Sequence, residues 1–145
     1  MNQEHTFLKP AIARSVLRII VGFTFSLHGA QKLLGAFGGL PGGMKPSLFS
    51  IIGIAGVLEL LGGILMMLGL FTRYVAFILC GEMAFAYFRM HAPRGFWPIV
   101  NGGELAVLYC FIFLYLFASG PGVWSLDSLL RRRTIANPAE HSSTA

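Results

Sequence analysis

Charge is what this sequence has least of: Asp, Glu, Lys and Arg make up 12% of its 145 residues, against about 25% in an ordinary soluble domain. Acids are scarcest, six in all, and there are two cysteines. Cys80 and Cys110 sit inside apolar runs without any CxxC spacing, which excludes a disulfide-stapled secreted module, a zinc ribbon and a thioredoxin-like motif. Long polar tracts and a glycine period are missing as well, so disorder and collagen drop out. What is present is apolar: 55% hydrophobic residues and a mean hydropathy of +0.70. At about 20 residues per bilayer crossing, four or five crossings use most of the chain. The net charge of +5 points to anionic lipid rather than nucleic acid, because the densest basic run, Arg131, Arg132 and Arg133, follows a Trp-Leu segment.

The hydropathy pattern predicts an all-α integral membrane four-helix bundle within a single membrane domain, 1–133, with spans at 12–34, 48–71, 74–91 and 99–118. Gly/Pro-rich stretches at 35–46 and 92–98 and the Thr72-Arg73 link separate them. The first apolar stretch is too long for a cleavable signal peptide and carries Arg18. An even number of spans places both termini on one side. Lys9, Arg14, Arg18, Arg73 and the three C-terminal arginines lie there, seven cations against Lys32, Lys45, Arg89 and Arg94 opposite, so both termini are expected in the cytoplasm. A short interfacial helix is expected at 123–133, where Trp124, Leu126, Leu129 and Leu130 precede the cations, and a loose tail at 134–145. Gly53, Ala55, Gly56 and Gly63 put small residues along one side of the second span, a close-packing stripe.

Between His5 and Leu126 the only acids are Glu59, Glu82 and Glu104, each inside an expected span. A charge in hydrocarbon costs about 2.5 to 3.5 kcal/mol on the most lenient scale, so such residues face the bundle interior, pair, and serve function. At 1.5 Å rise per residue, Glu59 and Glu82 share a depth of about 12 to 13 Å from the cytoplasmic face. Arg18 starts about 9 Å up, which makes it the expected counter-ion of a buried ion-pair layer, Arg18, Glu59 and Glu82.

A second layer is expected near the outer face, where His28, Arg89 and Glu104 come within about 6 to 9 Å of it on three helices. Gln31 and Lys32 follow His28 at i+3 and i+4, and Tyr87 and His91 extend the polar face from the third span. A buried His beside a Glu and an Arg suits proton exchange, and a network that only fixes helix register suits the same residues. The functional version predicts a pocket of a few hundred Å³ lined by His28, Gln31, Tyr87, Trp97 and Glu104. Haem ligation by His28 and His91 lacks a CxxCH, metal binding lacks a tight ligand spacing, and no metal is expected. Cys80 and Cys110 fall at depths near enough for contact.

Taken together, His28-Gly29-Ala30-Gln31-Lys32-Leu33 with Gly38-Gly39, then Gly53-Ile54-Ala55-Gly56-Val57-Leu58-Glu59 with Gly62-Gly63, Leu70-Phe71-Thr72-Arg73, Tyr87…His91 and Gly95-Phe96-Trp97-Pro98…Asn101-Gly102-Gly103-Glu104 resemble the DoxX family of small four-helix membrane proteins. The resemblance covers roughly 14–127. It implies a bacterial inner-membrane bundle related to DoxD-type subunits of thiosulfate:quinone oxidoreductase. It also implies a polar signature at His28, Gln31, Glu59, Arg73, His91, Asn101 and Glu104.

Three functions follow. The first is a subunit of a quinone-linked redox system, in which His28, Gln31, Arg89 or Asn101 supply donors to a quinone headgroup beside Tyr87, Phe96 and Trp97. The others are a non-catalytic scaffold for partner subunits or a homo-oligomer, and a small transporter, for which the buried acids argue. The chain carries no motif for an electron carrier of its own, so an accessory subunit is expected rather than an autonomous enzyme.

Overall fold

The structure is a computed structural model that describes residues 3–136, with side chains described over 9–132. Those residues are helix, turn or loop throughout, with no strand. The first helix, α1 (Gln3–Leu34), has 32 residues and stops at Gly35, whose φ of 67° is the left-handed conformation that ends helices. Two short 3₁₀ turns, Ala36–Gly38 and Pro41–Gly43, carry the chain to Ser50. The Ser50 hydroxyl caps α2 (Ile51–Leu68, 18 residues) by accepting from the Gly53 N–H at 3.0 Å. Gly69 ends α2 at φ 68°. Next comes α3 (Thr72–Ala86), continued by a π turn over Tyr87–His91. A single turn α4 (Pro98–Asn101), α5 (Glu104–Ser119) and α6 (Leu126–Ala136) complete the order.

Two of these helices, Lys9–Leu34 and Ile51–Leu68, are long and apolar enough to cross a membrane, and α5 is apolar but shorter. The surface fits a bilayer: Leu61, Phe77, Ile78, Leu108 and Phe111 are each more than half exposed. A belt of large apolar side chains on several helices has no favourable partner in water.

The helices associate in two tight pairs, α1 with α2 and α3 with α5, joined by looser α2–α3 contact. Glycine sets the first pair. A Cβ on Gly29 would fall 2.3 Å from the Leu60 nitrogen and 2.7 Å from the Gly56 oxygen, and one on Gly22 would fall 2.6 Å from the Met67 nitrogen and 2.7 Å from the Gly63 oxygen. Gly22 and Gly29 are thus the mates, seven residues apart, of Gly63 and Gly56 on the antiparallel helix, and backbone meets backbone along the seam. The second pair packs larger side chains: Phe77 and Phe117 lie 5.4 Å apart between ring centres, and Cys80 and Cys110 bring their sulfurs to 3.7 Å as free thiols. Phe25 on α1 joins the pairs through rings at 4.9 Å from both Tyr109 and Phe113.

Three expectations about element bounds change. The segment expected as one helix over 99–118 is broken at Gly102, φ 71°, and the break is held by Asn101, whose Oδ1 accepts from the Gly103 N–H at 2.7 Å. Glu104 therefore opens α5 as an exposed first-turn residue instead of lying inside a span, where a carboxylate also complements the helix dipole. The C-terminal helix starts at Leu126 rather than 123 and runs to Ala136. Of the tail expected to be loose, 134–136 belong to α6 and the rest lies outside the described residues.

Candidate functional site

The polar residues inside the bundle sort by the direction in which helical side chains lean. Every Cα–Cβ bond tilts toward its helix N-terminus. On α1, Lys32 therefore leans from its end of the bundle toward the middle, and on the antiparallel α2, Glu59 leans toward Lys32. The two meet: the Lys32 Nζ donates to Glu59 Oε1 in an ion pair that buries Glu59 to 4% side-chain exposure. Arg18 leans the same way, toward the α1 N-terminus and so away from Glu59, and lies level with the C-terminal end of α2, about 10 Å along that helix from Glu59. Its fully buried guanidinium donates through Nε to the Pro121 carbonyl at 2.9 Å and through Nη1 to the Met67 carbonyl at 2.7 Å. It also bonds the carbonyls of Met66 and Trp124. The expected pairing of Arg18 with Glu59 or Glu82 is thus replaced by a backbone clamp at one end and a Lys32–Glu59 pair in the middle. Depth arithmetic on Cα positions missed this because it ignored the lean of the side chains.

Around the Lys32–Glu59 pair open two cavities. The larger, about 620 Å³, is a cleft between α2 and α3 with walls that include Ile54, Leu58, Ile78 and Phe85, and with Lys32, Glu59 and Glu82 among its lining. Both carboxyl oxygens of Glu82 and Glu59 Oε2 are buried and bond to nothing in the protein. Glu82 is within electrostatic reach of Glu59, and Lys32 is the cation that both feel. One ammonium thus serves two carboxyl groups, and a buried carboxyl without donors marks a place where a donor belongs. The smaller cavity, about 180 Å³, lies on the other side of the pair, where Lys32 and Glu59 share the lining with His28, His91 and Tyr109. The His28 ring stands edge-on to Tyr109 at 6.1 Å.

Of the expected outer layer, His28 and His91 come together in this small cavity, whereas Arg89 and Glu104 are exposed and line neither space. The convergence of His28, Arg89 and Glu104 is therefore not formed. The expected pocket of His28, Gln31, Tyr87, Trp97 and Glu104 is not formed either. Gln31 donates to the Gly39 carbonyl at 3.1 Å and pins the first loop. Trp97 is 68% exposed. Tyr87 donates to the Phe96 carbonyl, and Asn101 donates to Gly95 at 2.6 Å and approaches the Tyr87 hydroxyl at 3.4 Å. His91 Nδ1 lies 3.3 Å from the Asn101 carbonyl. Tyr87, Asn101 and the His91 Nδ1 thus fold the 92–103 loop onto the end of α3, a structural task. Among the described residues no group of three His, Cys, Asp or Glu is placed to hold a metal.

The pair gives a direct test. Lys32→Met strands Glu59 without its counter-ion, and removing one partner of a buried pair costs about 3 to 5 kcal/mol. The Lys32→Met/Glu59→Gln double variant is expected to recover part of that loss, with a coupling of about 1 to 3 kcal/mol in a thermal-unfolding cycle. The Arg18/Glu59 cycle is expected to be additive, and strong coupling there would contradict the assignment.

The chain is 50% identical over 115 residues to an uncharacterized protein of Haemophilus influenzae, covering 77% of this chain and 86% of the relative. It is 31% identical over 139 residues to an uncharacterized membrane protein of Mycobacterium tuberculosis, covering 83% and 82% of the two. No solved structure matches. A DoxX family profile matches residues 13–92, the stretch that holds the glycine seam, the Lys32–Glu59 pair and Glu82. The protein belongs to the DoxX family of membrane proteins.

Proposed function

We propose that this chain is a multi-pass subunit of the bacterial inner membrane that holds the headgroup of a quinone-type amphiphile in the cleft between α2 and α3. The long helical segments are read as four crossings with both termini in the cytoplasm, on the seven-to-four distribution of cations. The observation that supports the binding role is the cleft itself: apolar walls around about 620 Å³, with a buried carboxyl, Glu82, whose oxygens have no donor. An amphiphile with a dry tail and a polar head needs that combination.

The residues present fit such a head. When bound, a quinone supplies two-electron, two-proton redox chemistry. Lys32 spends one N–H on Glu59 and has two more to direct at a carbonyl oxygen. Glu59 holds that ammonium in place. The Glu82 carboxyl is the group positioned to take or return a hydroxyl proton, and Ile54, Leu58, Ile78 and Phe85 keep water from the exchange. The electrons are assigned to a partner subunit, since the sequence carries no redox-centre motif.

Solvent extraction of the purified protein is expected to release quinone at close to one per chain. Glu82→Leu removes a carboxyl that no other group bonds, so it is expected to leave the bundle folded while lowering retention about tenfold, equivalent to about 1.4 kcal/mol. Wild-type protein without quinone, or a variant that retains it fully, would assign the chain to the scaffold role.

A further inference from the structure

At the other end of the bundle lies a space separate from the cleft. Arg14 of α1, the start of α3, the 119–123 connection and α6 enclose a pocket of about 520 Å³. Three guanidiniums line it, those of Arg14, Arg73 and Arg131, against one carboxylate, Asp127. Asp127 is already occupied: its two oxygens accept the N–H groups of Phe71 and Thr72 at 2.8 and 2.9 Å, which caps α3. The pocket therefore carries an excess of positive charge. Arg73 is held rigidly, because its Nη1 donates to the carbonyls of Phe117 and Ala118 at 2.7 and 2.9 Å. Two further donors or acceptors there lack partners. Arg14 Nε is buried without an acceptor, and Thr72, fully buried, has a hydroxyl that bonds to nothing in the protein.

The pocket also leads somewhere. Along α3 the residues one turn on from Arg73 and Tyr74 are Phe77 and Ile78, and these begin an apolar groove of about 390 Å³ between α3 and α5, floored by Gly81 and Ala84 and closed by Leu114 and Phe117. Phe117, whose carbonyl Arg73 grips, belongs to both ends of this path. A cluster of arginines at the end of membrane helices, opening into an apolar groove along them, has the shape of a phosphate head joined to an acyl chain.

We infer that this end of the bundle is a binding site for one anionic phospholipid, its phosphate held by Arg14, Arg73 and Arg131 and one acyl chain lying in the α3–α5 groove. A phosphate accepts the forked donors that the arginines present, and a lipid bearing two phosphates matches the charge excess best. Free phosphate shares the head chemistry but has nothing to place in the groove.

The test is native mass spectrometry of the full chain, delipidated in a zwitterionic detergent and titrated with a two-phosphate phospholipid, with phosphatidylcholine, or with inorganic phosphate. The two-phosphate lipid is expected to bind one per chain and about tenfold or more tighter than phosphatidylcholine, and Arg14→Gln and Arg131→Gln are each expected to weaken it about fivefold. Neither side chain donates a hydrogen bond within the bundle that the structure records, so both variants should melt as the parent does in detergent. Equal binding of the two lipids, or binding unchanged in both variants, would overturn the site. Displacement of the lipid by millimolar inorganic phosphate would overturn the lipid as its occupant.

Discussion

Gly29→Leu is expected to yield no assembled bundle. A Cβ at that position falls 2.3 Å from the Leu60 nitrogen and 2.7 Å from the Leu60 Cα, and both atoms are backbone. Overpacking against side chains costs about 1 to 3 kcal/mol because rotamers can yield. Here only separation of α1 from α2 relieves the clash, and separation also pulls apart Gly22 and Gly63 one seam position away and draws Lys32 from Glu59. The loss should exceed about 3 kcal/mol and show as failure to migrate as a monodisperse species in detergent. Gly81→Ala is the matched control: its Cβ meets nothing within 4 Å, and alanine gains up to about 1 kcal/mol over glycine in a helix. If Gly29→Leu melts like the parent, the α1–α2 seam is not the close contact described.

Arg18→Met is expected to release the 120–132 segment from the bundle. The four carbonyls that Arg18 binds, two at the C-terminal end of α2 and two in the connection to α6, have no other side-chain donor. The Met66 carbonyl keeps the Gly69 N–H at 3.1 Å, so three carbonyls are stranded, and at about 1 kcal/mol or more for each the loss comes to about 3 kcal/mol. Arg18→Lys should recover little, since one compact ammonium cannot span acceptors on two separate segments as a planar fork does. Thermal unfolding and protease sensitivity within 120–132 read the two effects. A parent-like melting temperature and protease pattern in Arg18→Met would show that α2 and the connection hold each other without the guanidinium.

The legible part of this fold was the part that composition and period control. The first two long helices, the small-residue face of α2 and the burial of Glu59 against a neighbouring helix all follow from hydropathy and spacing. What escaped was governed by direction and by local turn chemistry. In sequence Lys32 extends the His28 face, yet its lean toward the α1 N-terminus carries the ammonium to Glu59, and the same rule takes Arg18 away from it. The long apolar run around Glu104 points to a position inside a span. The Asn101-Gly102-Gly103 triplet, a turn signal in its own right, overrides that run through the Asn101 side chain. The cleft beside Glu82 had no sequence signal beyond the acid itself, because it arises from the looseness of the α2–α3 contact, which is a property of the pairing pattern rather than of any one segment.

The clamp around Arg18 also bears on how this protein can change over time. Its acceptors are all main-chain oxygens, at Met66, Met67, Pro121 and Trp124, so the contact reads the path of the chain and not the identity of the side chains that hang from it. Met67 and Trp124 can therefore drift in character while the grip persists. The freedom stops at Gly122, where φ is 82° and an added Cβ would come 2.3 Å from the Ser15 hydroxyl. Gly69 is bound in the same way, with φ 68° and an added Cβ 2.8 Å from the Arg18 Cζ, so one arginine and two glycines carry this contact while the side chains of Met67 and Trp124 are left free to vary.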